Sequence, residues 1–141
     1  MRRDRESGSA AVELALLAPG LLLLVGLLIF GGRNALAAGA VEQAAVDAAR
    51  AASLARTGPD AQAAAHAAAD RATADQGLAC QSMTVQVDTS GFDTAPGQGG
   101  RVTAAVECTL RLSDLGLPGL PGTKTVSGSA VSVIDTYRER R

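Results

Sequence analysis

Few residues in this chain are of a type and spacing able to do chemistry. The most conspicuous is Glu13, a carboxylate at the edge of the long apolar stretch that follows Gly8. An ionised carboxylate costs about 2.5–3.5 kcal/mol at the centre of a bilayer and less towards its edge, so such a group normally finds a partner. Two readings are open from the residue alone. Glu13 pairs with a cation at the same depth, or it reaches back to the headgroups at its own end of the helix. The second candidate is the cysteine pair, Cys80 and Cys108. The third is His66, the sole histidine, set in an Ala-rich run with no Cys-x-x-Cys or second histidine to complete a metal site. A lone histidine supports no Ser/His/Asp arrangement and reads as a solvated helix residue. "GQGG" lacks the strand, loop and helix that phosphate binding needs. "LPGTK", Leu120 to Lys124, has Lys124 where a sortase signal needs Gly, and it lacks the hydrophobic tail.

The elements that must position these groups follow from the hydropathy pattern. Leu14 to Gly32 is an uncharged run of about 19 residues, enough for a helix to cross roughly 30 Å of hydrocarbon. Arg2, Arg3 and Arg5 precede it, whereas only Arg33 follows closely, which predicts an N-terminus inside and the bulk of the chain outside the cytoplasm. Both cysteines then lie in the extracytoplasmic part. That placement favours a disulfide over two buried thiols. A net charge of -1 gives no basic field for nucleic acid.

The apolar run continues without a turn into "NALAAGAVEQAAVDAARAASLAR". Ala37, Val41, Ala44, Ala45, Ala48, Ala52 and Ala55 share one helical face, with Gln43, Asp47 and Arg50 on another, the last two as an i,i+3 pair. One long helix from near Ser9 to near Arg56 is expected. Gly58 is expected to cap its end and Pro59 to open a second, Ala-rich helix that stops at Gly77. Beyond it the period becomes two. "SMTVQVD" and "RVTAAVECTLRLS" read as half-buried strands, with Val102, Ala104, Val106, Cys108, Leu110 and Leu112 on one face. "TSGFDTAPGQGG" between them reads as a mobile connection, and "SDLGLPGLPG" as a second break. "KTVSGSAVSVIDTY" reads as a third strand bent at Gly128, followed by a charged tail, "RERR". Aromatics are 2% of the chain (Phe30, Phe92 and Tyr137), so the core must be built from small residues. Phe92 is expected to anchor its loop.

The fold class expected is α+β: a long N-terminal transmembrane helix continuing into a stalk, a second helix, and an antiparallel sheet of about three strands. The divisions expected are a leader (1–8), a transmembrane helix (9–32), a helical stalk (33–57) and an extracytoplasmic α+β domain (58–141).

"GSAAVE", with its charged leader and following apolar helix, resembles the type IV prepilin processing site. That resemblance implies a cut between Gly8 and Ser9 by a prepilin-type peptidase, making Glu13 the fifth residue of the mature chain. Typical type IV pilins begin with Phe where this chain has Ser9. A closer resemblance is to the TadE-like family of the tight-adherence pilus machinery. It is carried by "SGSAAVELALLAPGLLLLVGLLIFGG", with Glu13 and Pro19, and by "AVEQAAVDAARAAS", with Arg50. It implies a minor pilin-like subunit, or pseudopilin, that helps assemble a thin adhesive pilus. The implied partners are the membrane, the peptidase, other pilin-like subunits and pilus assembly proteins. No catalysis, cofactor, nucleic acid or small-molecule substrate is implied. Glu13 would pair subunits through the α-amine freed at Ser9, and Pro19 would bend the helix. The rival reading is a secreted or membrane-anchored binding protein. There Ala35-Leu36-Ala37 would be a signal-peptidase site and Ala38 the mature N-terminus.

Overall fold

The computed structural model describes residues 3–95, 97–116 and 118–135, with side chains from Ala11 onward. Tyr137 and the tail Arg138–Arg141 lie outside the described residues, as do Arg2 and the side chain of Ser9. Helix α1 runs unbroken from Arg3 to Ser53, α2 spans Gly58–Asp75, and three strands follow: β1 (Ser82–Asp88), β2 (Gly100–Arg111) and β3 (Thr123–Ile134). The strands form one antiparallel sheet in the order β1-β2-β3. The class is α+β, as expected.

Helix α1 ends earlier than its sequence pattern suggests. Its last turn tightens through bonds from Leu54 N to Ala51 O and Ala55 N to Ala52 O. Ser53 turns its hydroxyl back onto the Arg50 carbonyl, 2.8 Å away. Gly58 is therefore not the cap of α1: it is the first residue of α2. Thr57 caps that helix, accepting from Asp60 N at 3.2 Å while its hydroxyl donates to the Asp60 carboxylate at 2.7 Å. Pro59 sits in the first turn, where no N–H is missed. At the far end Gly77 adopts φ +66, and Gly77 N and Leu78 N bond back to Ala74 O and Thr73 O. This is the paired closure that lets a left-handed residue terminate a helix.

The core lies between the helix pair and one face of the sheet. Ala37, Val41, Ala44, Ala45, Ala48, Ala49 and Ala52 of α1 are buried with Ala61, Ala65, Ala69 and Ala72 of α2. They meet Val85, Val102, Ala104, Val106, Cys108, Leu110, Val126 and Ile134 of the sheet. The C-terminal part of α1 thus belongs to the same core as α2 and the strands. Gln62 donates to the Val85 carbonyl at 2.7 Å, tying α2 to edge strand β1.

The strand alternation holds in β1 and β2, except that Leu112 falls just past the end of β2 and is half-buried. Strand β3 is not interrupted at Gly128. Its register with β2 is continuous from Thr123 to Ile134, and Gly128 is instead where α1 crosses the sheet. A Cβ built at Gly128 would lie 2.7 Å from Glu42 Cα and 3.0 Å from Val41 O. Any larger residue would push helix and sheet apart.

The connection between β1 and β2 carries more structure than its composition predicts. It holds a short 3-10 turn, Ser90–Asp93, with Gly91 buried and Phe92 packed against the core. Ser90 donates to Asp88 at 3.0 Å, which holds the Asp88 carboxyl below its ordinary range. The expected Asp47–Arg50 pair does not form: Asp47 accepts from Gln43 at 3.3 Å.

Candidate functional site: the apolar half of α1

Exposure changes abruptly along α1. Every residue from Ala11 to Val25 is exposed, including Leu14, Leu16, Leu17 and Leu21 to Leu24, and Leu27, Leu28 and Ile29 continue the apolar surface. From Ala37 onward the small residues on one face of the helix are buried. Among the described residues this is the one helix long and apolar enough to cross a membrane. So large a bare apolar surface is not stable in water and requires lipid or other apolar helices around it.

Glu13 sits on that surface, fully in the exposed segment. Among the described side chains none bonds to it. The backbone is helical from Gly8 through Glu13, so Ser9 lies about 6 Å below Glu13 along the axis, one turn away. Pro19 lies within continuous helix. Arg50 is exposed in the last turn of α1, beyond the apolar segment.

The cysteines meet. Cys80, between α2 and β1, is bonded to Cys108 of β2, with Cα atoms 5.4 Å apart. The bridge fastens the chain leaving α2 to the central strand. His66 is a half-exposed helix residue whose Nδ1 lies 3.1 Å from Asp70 Oδ2, one turn on. Among the described residues no group of three or more His, Cys, Asp or Glu side chains converges.

Three contacts were not legible in the sequence. Ser132 of β3 donates to Ser53 at the end of α1, at 3.0 Å. Gly128 meets Glu42. Arg33 reaches across to the Asp114 carbonyl at 3.2 Å, and Leu115 is buried beside it. The repeated "LPG" marked a break there, but nothing in its spacing shows that the break folds against α1.

Comparison with known proteins bears on the same segment. The family model for TadE-like proteins matches residues 8–50. This bears out the resemblance over the stretch that holds Gly8, Ser9, Glu13, Pro19 and Arg50, and it links the chain to pilus-related proteins. No characterised protein and no solved structure matches the chain.

Proposed function

We propose that the protein is a minor pilin-like subunit of a tight-adherence type pilus or related secretion apparatus, anchored by α1 in the cytoplasmic membrane with its α+β domain outside. The observation that carries this reading is a bare carboxylate, Glu13, at the edge of the exposed apolar run of α1 and inside the segment matched by the TadE-like model. In this reading a prepilin-type peptidase cuts between Gly8 and Ser9. The cut removes Arg2, Arg3 and Arg5 and leaves an α-amine one helical turn from Glu13. In a bundle of such helices the amine of one subunit faces the carboxylate of the next. Pairing two charges in apolar surroundings offsets part of the cost that each would otherwise bear alone. It also sets the axial register and disfavours association of unprocessed chains. Pro19, which removes one helical hydrogen bond, gives the segment a point at which to bend during assembly.

The structure weighs against a mature N-terminus at Ala38. Ala35-Leu36-Ala37 lies within continuous helix, and Ala37 is buried in the domain core. Cleavage there would remove the contact of Arg33 with the β2–β3 turn.

The test is co-purification. Wild-type protein, extracted from membranes that contain the rest of the pilus machinery, is expected to bring down other pilin-like subunits. Glu13→Ala is expected to be cleaved and inserted normally yet to lose most of that association. Undiminished co-purification of Glu13→Ala would show that Glu13 only reaches the headgroups.

A further inference from the structure

The β2–β3 hairpin is oriented by two contacts along α1. Ser132 meets Ser53 at the helix end, and Gly128 meets Glu42 lower down. Strand β3 therefore runs alongside α1 with its start, Thr123, towards the apolar segment. From Gly128 to Thr123 the strand descends roughly 16 Å at about 3.3 Å per residue, equivalent to about 11 residues of helix at 1.5 Å. That brings Thr123 level with Gly31 and Gly32, where the apolar run ends. The turn beyond it reaches the same height by direct contact. A Cβ at Gly116 would lie 3.4 Å from Ile29 Cγ2 and 3.5 Å from Arg33 Cδ, and Arg33 holds the Asp114 carbonyl.

The composition of the turn suits that height. From Leu115 to Gly122 it carries no charge. Leu115 is buried against α1, while Pro118, Leu120 and Pro121 are exposed, Leu120 by 53%. Charged residues stand around and above this tip: Arg33 on α1, Asp114 in the turn, and Arg111 and Lys124 at the strand ends. Three of these four are cationic, and long Lys and Arg side chains near a membrane surface extend to the phosphates at the headgroup level.

We infer that the β2–β3 turn, with Leu120 at its tip, rests in the lipid surface from which α1 emerges and forms a second membrane contact for the domain. This inference rests on the reading of α1 as a membrane span. A helix alone leaves a domain free to rotate about the helix axis and to tilt. A second contact beside the helix fixes which face of the domain looks along the membrane and which looks away. The occupant is the lipid surface because the turn is continuous with the apolar face of α1 at Ile29. The exposed apolar tip and its cationic surroundings follow the same order as acyl chain and headgroup.

The test places a nitroxide at one position at a time in the full chain, with the native disulfide intact: Leu120→Cys, Val133→Cys and Leu23→Cys. Val133 is exposed at the opposite end of β3, and Leu23 lies mid-span. The protein is reconstituted at high lipid-to-protein ratio in phosphatidylcholine vesicles containing a minority of phosphatidylglycerol. Accessibility to oxygen is then compared with accessibility to a water-soluble nickel chelate. The expected result is an oxygen preference at 120 several-fold above that at 133 and below that at 23. If 120 matches 133 while 23 reports lipid, the inference is wrong and the membrane-span reading stands. If 23 also reports water, both are wrong. If 120 is shielded only when protein is crowded in the bilayer, a second copy covers the turn and the lipid contact is overturned.

Discussion

Gly128 of β3 and Glu42 of α1 approach until backbone meets backbone, with room for a hydrogen and no more between them. This contact lets α1 lie flat on the sheet without a layer of large side chains. It also explains how a chain with few aromatics builds a core: Ala and Gly bring the elements close enough for dispersion contacts to replace bulk.

Gly128→Val is expected to force α1 off the sheet and to destabilise the domain by about 2 kcal/mol or more. Gly39, on the same helix, has nothing within 4 Å of an added Cβ. Gly39→Ala is expected to be neutral or to stabilise by up to about 1 kcal/mol, through helix propensity alone. Thermal melts of both variants check the pair. Equal behaviour would mean that the helix does not rest on Gly128.

The Ala-lined seam between α1 and α2 is expected to be equally intolerant. Ala48 is wholly buried there, so Ala48→Phe is expected to cost about 1–3 kcal/mol by overpacking. A denaturant titration with unchanged slope and a lowered midpoint is the expected signature. An unchanged midpoint would contradict the seam.

The Cys80–Cys108 bridge closes a segment of sequence separation 28 around β1 and the Gly-rich connection. On the chain-entropy account its loss is expected to cost about 3–4 kcal/mol, a large share of the stability of a small domain. Cys80→Ala with Cys108→Ala, or reduction of the wild type, is expected to lower the melting temperature at least as far as Ala48→Phe. Two free thiols in protein from its native compartment would contradict the bridge.

Much of the fold was legible because its signals are periodic. The alternation of Met83, Val85 and Val87, and of Val102 to Leu110, placed two strands on the core with the correct face inward. The Ala37 to Ala52 stripe identified the buried side of α1. What failed was set by tertiary contact or by competition between local bonds. Gly58 looked like a helix terminator, but the Thr57–Asp60 cap claimed it for the next helix. Gly128 looked like a bend because a glycine in a strand has two meanings, and only the position of α1 decides between them. Asp47 had two neighbours one turn away and bonded the neutral one. For the candidate site, Glu13, Gly8 and Ser9 stood out by type and spacing. The partner of Glu13 was not legible, because in the proposed account it belongs to another chain.

Gly8→Leu separates processing from assembly. Placing a bulky side chain at the proposed scissile position is expected to leave a membrane-inserted chain that still carries Arg2, Arg3 and Arg5. Its domain is expected to melt like wild type, since the core begins near Ala37. It is expected to co-purify with pilus subunits as poorly as Glu13→Ala. Normal association of uncleaved Gly8→Leu would show that the freed amine is not needed.

The most direct test of the central claim is the N-terminus of wild-type protein. The chain is expressed together with a prepilin-type peptidase, extracted from membranes, and its intact mass and N-terminal peptide are determined. The account predicts a chain that begins at Ser9 with Glu13 as its fifth residue. A chain that begins at Ala38, or one that retains residues 1–8 in the presence of active peptidase, would contradict it.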